Sequence, residues 1–435
     1  MNITIFGCEL TGLVSAGCLA REGHNVVLVA TKDIDRRVGG TSLTQAEPSL
    51  TFLLSSQVIE KKLVYMTDWD QAIEHADVFF ISISSWMPDI ADQIITAIGK
   101  QATTDVIVVN QTTFSVGKAK EFTENLQNSF NQREINLIAS VVSLPEFISR
   151  GTAVKDFMNP DRIVLGGENQ SSILKISELL KPFYKQESRL KIMSSSAAEY
   201  TKFALNAILA TRISLINELA NNAEKFGIDF AEVREGIGSD SRIGFNYVNP
   251  GCGFGGPSFA SDMTALVKSF EEKGADSRLL KAAIYENNIQ KEILFRKAWR
   301  YFDNNISDKR FAVWGLSFKP KTETVENAPS LVLVDALISQ GASVAVFDPK
   351  ANDSFMSRFK YADSVIVSND KYEILEQVDA LFILTEWEEF IEADLEKMAG
   401  LMKTKIIFDG RNIYEPNEMA KKSFVYVGTG RGLVV

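Results

Sequence analysis

The sequence predicts an α/β protein: two Rossmann-like domains with parallel sheets, joined by a helical middle domain built on one long helix. Three observations predict it. Short apolar runs alternate with helix-periodic stretches through the first ~195 residues, the pattern of a parallel sheet. The same alternation resumes after about residue 303. Between them, helical spacing continues without a strand pattern. The expected domains are 1–195, 196–302 and 303–435, in line with about three domains for 435 residues at ~150 each.

In the first domain, Ile3-Thr4-Ile5-Phe6 reads as a buried strand and runs straight into Gly7 and Gly12. Leu10 to Arg21 has helical spacing, with Leu13, Ala16, Cys18 and Leu19 as core candidates, and Gly23 closes it as a C′ residue. Further strands are expected at Val26–Val29, Val78–Ile83, Val106–Val109, Ile135–Ile138 and Ile163–Leu165. Ala197 to Phe226 holds no Pro or Gly and predicts one long helix; a second helical stretch is expected from Ala260 to Phe302. In the last domain, Phe311–Gly315, Val344–Asp348, Ala380–Leu384 and Lys405–Asp409 read as strands. Val332 to Gln340 reads as a helix closed by Gly341.

Composition excludes several classes of function. Hydrophobic residues are 45% and charged residues 23%, ordinary for a globular protein. The net charge of −10 argues against nucleic-acid binding and against an anionic membrane surface. No uninterrupted apolar run reaches ~18 residues, and the N-terminus has no basic region before its apolar stretch, so neither a membrane span nor a signal peptide is expected. Cys8, Cys18 and Cys252 are too few for a disulfide framework and fit a reducing cytoplasm. No metal site is expected.

The turn Gly7-Cys8-Glu9-Leu10-Thr11-Gly12 stands where a dinucleotide fingerprint G-x-G-x-x-G would stand. Glu9 occupies the glycine position that lets a pyrophosphate approach the backbone. Two like charges at ~4 Å cost about 4 kcal/mol at an effective dielectric of ~20, nearly three decades in affinity. The acid expected after the second strand is absent, since that strand ends Val29-Ala30-Thr31. A Rossmann-type domain without its dinucleotide is the reading these residues favour.

The segment Asn249-Pro250-Gly251-Cys252-Gly253-Phe254-Gly255-Gly256-Pro257-Ser258-Phe259-Ala260-Ser261-Asp262 is a tight glycine-rich loop able to admit a ligand. It resembles the catalytic segment G-x-G-F-G-G-S-C-F-P-K-D of the UDP-glucose/GDP-mannose 6-dehydrogenases. The resemblance runs over essentially the whole chain. Leu144-Pro145-Glu146-Phe147, Ala198-Glu199-Tyr200-Thr201-Lys202, Asn206, Arg242-Ile243-Gly244, Gly315-Leu316-Ser317-Phe318-Lys319-Pro320, Phe347-Asp348-Pro349 and Asp409-Gly410-Arg411-Asn412 follow in the family's order. The resemblance implies oxidation of a nucleotide sugar at C6 by two NAD molecules through a cysteine-bound acyl intermediate. It implies sugar-handling and water-activating roles for Lys202, Asn206, Asp262, Glu146 and Thr113. Arg242, Gly255, Gly256, Lys319 and Arg411 would bind the UDP- or GDP-linked sugar, and the long helix would form a homodimer.

The departures from that pattern fall on the chemistry. Ser258 stands at the cysteine position, and a serine hydroxyl is scarcely ionised without a paired base. The only histidines are His24 and His75, both in the first domain. The family lysine before Asp262 is Ser261, and Glu326 stands where the family has a cofactor-facing arginine. Cys252 is the alternative nucleophile; its plainer reading is a small buried thiol. The expectation is a family member that binds a nucleotide sugar, binds NAD poorly and does not complete the four-electron oxidation. The alternative is an active NAD(P)-dependent dehydrogenase with an altered mechanism.

Overall fold

The structure, a computed structural model, describes residues 1–30 and 47–431. Thr31, read above as the end of the second strand, lies outside the described residues. The chain divides into two compact units, Met1–Ala204 and Leu205–Val435.

The first unit is built on an eight-stranded sheet. Its strands are β1 (Asn2–Phe6), β2 (Asn25–Val29), β3 (Leu63–Met66), β4 (Val78–Ile81), β5 (Val106–Asn110), β6 (Ala139–Ser143), β7 (Ile163–Gly166) and β8 (Leu190–Met193). They lie in the order β3-β2-β1-β4-β5-β6-β7-β8. Every neighbouring pair is parallel except β6 and β7, which meet antiparallel at Ser143 and Gly166. Alternate residues of β1 serve different cores. Ile3 and Ile5 pack under α1 (Leu10–Arg21) on one face. Phe6 joins Ile94, Ile98 and Phe122 on the other, under α4 (Pro88–Gln101) and α5 (Lys118–Gln132). Burial on both faces is why the strand is a continuous apolar run rather than an alternating one. Gly23, at φ +90°, closes α1 as expected.

Three features of this unit depart from the sequence reading. Ile135–Ile138 is not a strand: Ile135 donates its N–H to Phe130 O at the end of α5, and Ile138 is 55% exposed. The strand is Ala139–Ser143 instead, with all five residues buried. Strands β3 and β8 were not anticipated. They are edge strands with half-exposed residues, so neither carries a buried apolar run.

Helix α8 (Ser195–Lys225) has 31 residues and is the long helix expected from the sequence. By length and composition it could cross a membrane. Its Ala210, Ile216 and Ala220 are core residues of the second unit. The second unit continues with α9 (Phe230–Gly238), α10 (Phe259–Glu272), α11 (Arg278–Gln290) and α12 (Ile293–Tyr301). The single helical stretch expected from Ala260 to Phe302 is therefore three helices. A left-handed Gly274, at φ +69°, ends the first, and a turn at Lys291 separates the other two.

A six-stranded parallel sheet completes this unit. Its strands are β9 (Arg310–Trp314), β10 (Ser343–Phe347), β11 (Val365–Val367), β12 (Ala380–Ile383), β13 (Ile406–Asp409) and β14 (Val425–Val427). The order β11-β10-β9-β12-β13-β14 is the doubly wound 3-2-1-4-5-6 arrangement. One core lies beneath α12 and α13 (Pro329–Ser339), and a second holds Trp314 stacked on Phe390 at 4.9 Å.

Candidate functional site

In the first unit the chain leaves β1 at Gly7 and enters α1. Gly7 has φ +117°, and a Cβ there would lie 2.2 Å from Ser82 O; a Cβ on Gly12 would lie 2.1 Å from Gly7 O. Both glycines are required by backbone contact alone. Between them Glu9 is the N-cap residue of α1 but makes no side-chain cap bond. Its carboxylate instead accepts a hydrogen bond from Ser84 Oγ, in the loop after β4. Strands β1 and β4 are neighbours, and the strand order reverses between them. The Glu9–Ser84 bond therefore spans the switch-point crevice where doubly wound sheets hold their ligands. Ala30, at the end of β2, is buried and offers no polar group to a ribose.

A second cluster lies past the end of β5. Thr113, Phe114, Ser143, Pro145, Glu199 and Lys202 line a small pocket. The Lys202 ammonium donates to Glu146 O at 2.6 Å, lies 3.9 Å from Glu146 Oε1 and sits 5.2 Å from the Phe147 ring centre. Glu199 was not singled out as a site residue. Its carboxylate accepts the N–H groups of Gly117 at 2.7 Å and Ala119 at 2.9 Å, capping α5 from a separate helix. Burial raises its pKa, and the two N–H bonds oppose that shift. Thr112, beside Thr113, ties this loop to β4 by accepting the Ile83 N–H at 3.1 Å.

In the second unit, Asn206 Nδ2 donates to Asp262 Oδ2 at 2.6 Å, and both residues are buried. Asp262 lies in the first turn of α10, with its N–H on Ser258 O at 2.8 Å. Ser258 is the N-cap residue of α10 and is exposed. Its hydroxyl makes no hydrogen bond to any described residue, so none of the described residues is positioned on it as a base. His24 contacts the N-terminus at 3.3 Å, and His75 lies 3.3 Å from Asn25 O. Cys252 is fully buried, with its thiol 3.8 Å from Leu384 O. Burial raises its pKa, with Arg411 opposing, so it is a packed thiol rather than a displaced nucleophile.

The glycine-rich loop is clamped by side-chain amides. Asn217 accepts the Gly251 N–H at 2.8 Å, and Gln290 donates to Gly251 O at 2.6 Å. Asn287 both accepts the Phe254 N–H at 2.8 Å and donates to Phe254 O at 3.0 Å. These amides were missed by the sequence reading. Their signal was the i, i+3 spacing of Asn287 and Gln290 on one face of α11. Gly255 and Gly256 press on the β9–α13 connection: a Cβ on Gly255 would lie 2.7 Å from Asn327 O, and one on Gly256 2.7 Å from the Phe318 ring. Arg411 donates from Nε to Leu384 O at 2.7 Å, from a terminal nitrogen to Phe318 O at 3.3 Å, and pairs with Glu386 at 3.2 Å. The structure thus brings Gly255, Gly256, Phe318-Lys319 and Arg411 together. Arg242 is different: its side chain is 86% exposed and holds Asp240 at 2.6 Å. Glu326 lies on the same connection, 4.0 Å from Arg358.

Family comparison settles the class. The UDP-glucose/GDP-mannose dehydrogenase family matches through its NAD binding domain at residues 1–186, its central domain at 196–289 and its UDP binding domain at 312–416. The chain belongs to the UDP-glucose/GDP-mannose dehydrogenase family. It is 35% identical over 443 residues to a UDP-glucose 6-dehydrogenase of Pseudomonas aeruginosa, covering 99% of this chain and 98% of that one. A UDP-glucose 6-dehydrogenase of Rhizobium meliloti is 34% identical over 448 residues, with 99% and 100% covered. The UDP-glucose dehydrogenase structure from Pyrobaculum islandicum superposes with a TM-score of 0.85 at 26% identity, covering 98% of this chain and 97% of that one.

Proposed function

We propose that this family member binds a nucleotide sugar, UDP- or GDP-linked, and that its chemistry stops short of the uronate. The observation that carries the reading is Ser258, exposed at the head of α10 and without a hydrogen-bonded base among the described residues; by motif resemblance we read it at the position of the family's cysteine. A neutral hydroxyl there does not form the acyl intermediate that the second oxidation needs.

The groups that would hold the ligand are better preserved. Lys319 and Arg411 supply cations beside Gly255 and Gly256, and a diphosphate would gain charge-assisted hydrogen bonds there. In our reading Lys202 with Glu146, Asn206 with Asp262, and Thr113 handle the sugar. A glycine-rich backbone lets a ligand approach where any Cβ would collide.

NAD would belong in the crevice above β1 and β4, where it would accept hydride. The residues present fit it poorly. Glu9 places a carboxylate at the head of α1, bonded across the crevice to Ser84, where a pyrophosphate would need that space and a positive field. One observation favours a second reading, an active dehydrogenase with an altered mechanism: the Asn206–Asp262 pair is buried and intact in a chain 35% identical to a UDP-glucose 6-dehydrogenase.

We also read the division of labour as 1–195 for the cofactor-type fold, 196–302 for linkage and 303–435 for the nucleotide. Homodimerisation through α8 is part of this proposal. Ile208 and Leu215 on α8 are 67% and 51% exposed, and Phe226 just beyond it is 79% exposed. A cytoplasmic location suits three buried cysteines that form no disulfide among the described residues.

The deciding experiment is calorimetric titration with UDP-glucose, GDP-mannose and NAD⁺, run beside an assay for NADH. Sugar binding without NADH is the expected outcome. Two NADH per sugar would overturn the proposal. One NADH per sugar would establish the second reading.

A further inference from the structure

Lys291 stands in the turn between α11 and α12 and is 7% exposed. Its ammonium makes no hydrogen bond and no ion pair with any described residue. Among the described residues, other buried or nearly buried lysines have partners. Lys202 has Glu146, Lys118 has Asp92 and Glu121, and Lys297 has Glu224. The Lys291 stem is buried, while its ammonium is not among the fully enclosed unpaired atoms and so keeps an opening through which an anion can reach it.

The surroundings identify what is missing. The stem of Lys291 lies against the glycine-rich loop: a Cβ on Gly253 would come within 3.3 Å of its Cγ. One turn earlier on the same chain, Asn287 holds both polar groups of Phe254. The polar groups of Gly251 and Phe254 are thus held by side-chain amides, and Lys291 makes no bond to the loop. Cys252 lies close enough to act electrostatically on both Lys291 and Arg411. Burial keeps that thiol protonated, so Cys252 is not the counter-ion. The Arg411 guanidinium flanks the loop at Gly251, where a Cβ would lie 3.5 Å from it.

We propose that Lys291 is an anion-binding residue of the glycine-rich loop, acting with Arg411 on the phosphate groups of the bound nucleotide. This rests on the nucleotide-sugar reading above and adds to it a cation from the helical region. Burial without a partner also lowers the Lys291 pKa, so binding a phosphate should draw a proton onto it.

The test compares the full-length protein with Lys291→Met and Lys291→Arg, titrated calorimetrically with uridine, UMP, UDP and inorganic pyrophosphate. Lys291→Met should weaken UDP by about tenfold or more, leave uridine within about twofold, and be largely rescued by Lys291→Arg. In wild type, ¹³C NMR of reductively methylated lysines should show one resonance whose titration moves to higher pH with UDP and which is missing from the Lys291→Arg spectrum. UDP affinity unchanged in Lys291→Met would overturn the proposal, as would a UDP-insensitive Lys291 resonance should that variant fail to fold. Wild type that binds pyrophosphate through Lys291 but no nucleotide sugar at millimolar concentration would sink the functional reading and leave the anion site standing. Wild type that binds neither would sink both.

Discussion

Glu9 holds a carboxylate at the head of α1, bonded across the crevice to Ser84. Replacing it by glycine removes the carboxylate and frees Ser84, but Ala30 still offers nothing to a ribose. Wild type should therefore show no NAD⁺ binding in the micromolar range, and Glu9→Gly should improve affinity without restoring it to that range. Isothermal titration checks this, and a low-micromolar constant for wild type would refute it. Glu199 acts at the same scale through protonation. Burial holds its pKa above the ordinary 4.5, so the folded chain keeps a proton that the unfolded chain has released. Its stabilising contribution is full below about pH 4.5 and is lost as pH rises through the folded value. Glu199→Gln does not titrate. Its melting temperature relative to wild type should therefore climb with pH across that window and then level off. A difference independent of pH would show that Glu199 is not perturbed.

At the scale of elements, legibility in the sequence tracked burial. Strands with both faces covered, such as β1, β4, β9 and β12, are uninterrupted apolar runs and were read within a residue or two. The edge strands β3 and β8 were invisible because half of each faces solvent. Ile135–Ile138 misled because an apolar stretch leaving a helix resembles a strand until its exposure is known. The site divided in the same way. Glycines and charged residues were legible one by one because their chemistry is local. The amide clamp was not, because Asn217, Asn287 and Gln290 acquire their role from a loop 33 or more residues away in sequence. That clamp gives a prediction for the loop as an element. Asn287→Ala leaves the N–H and C=O of Phe254 without their partner in a buried place, at about 1–3 kcal/mol for each. The variant should lose roughly 2–5 kcal/mol in urea unfolding and bind UDP-glucose more weakly. A loss under about 1 kcal/mol would mean that water replaces the amide.

At the scale of the whole molecule, the two units have separate cores, and the proposed cofactor crevice and nucleotide loop fall one in each. The first unit carries the crevice bridged by Glu9 and Ser84. The second carries the glycine-rich loop together with Phe318-Lys319, Lys291 and Arg411. A ligand that binds only the folded state stabilises it by RT ln(1 + [L]/Kd), about 2.7 kcal/mol at a hundredfold excess over Kd. For units of about 150–250 residues, each kcal/mol moves a melting temperature by roughly 2–4 °C. UDP-glucose or GDP-mannose at such an excess should therefore raise the melting transition by about 5–10 °C. NAD⁺ at millimolar concentration should raise it by less than about 1 °C, because weak binding leaves the logarithm near zero. Scanning calorimetry separates the two ligands without relying on turnover, so it reads binding even in a chain that cannot complete the reaction. A large shift with NAD⁺ and none with either sugar nucleotide would reverse the assignment of intact and altered sites. Equal shifts with both ligands would point to a working dehydrogenase, and the NADH count per sugar would then say how many oxidations Ser258 permits.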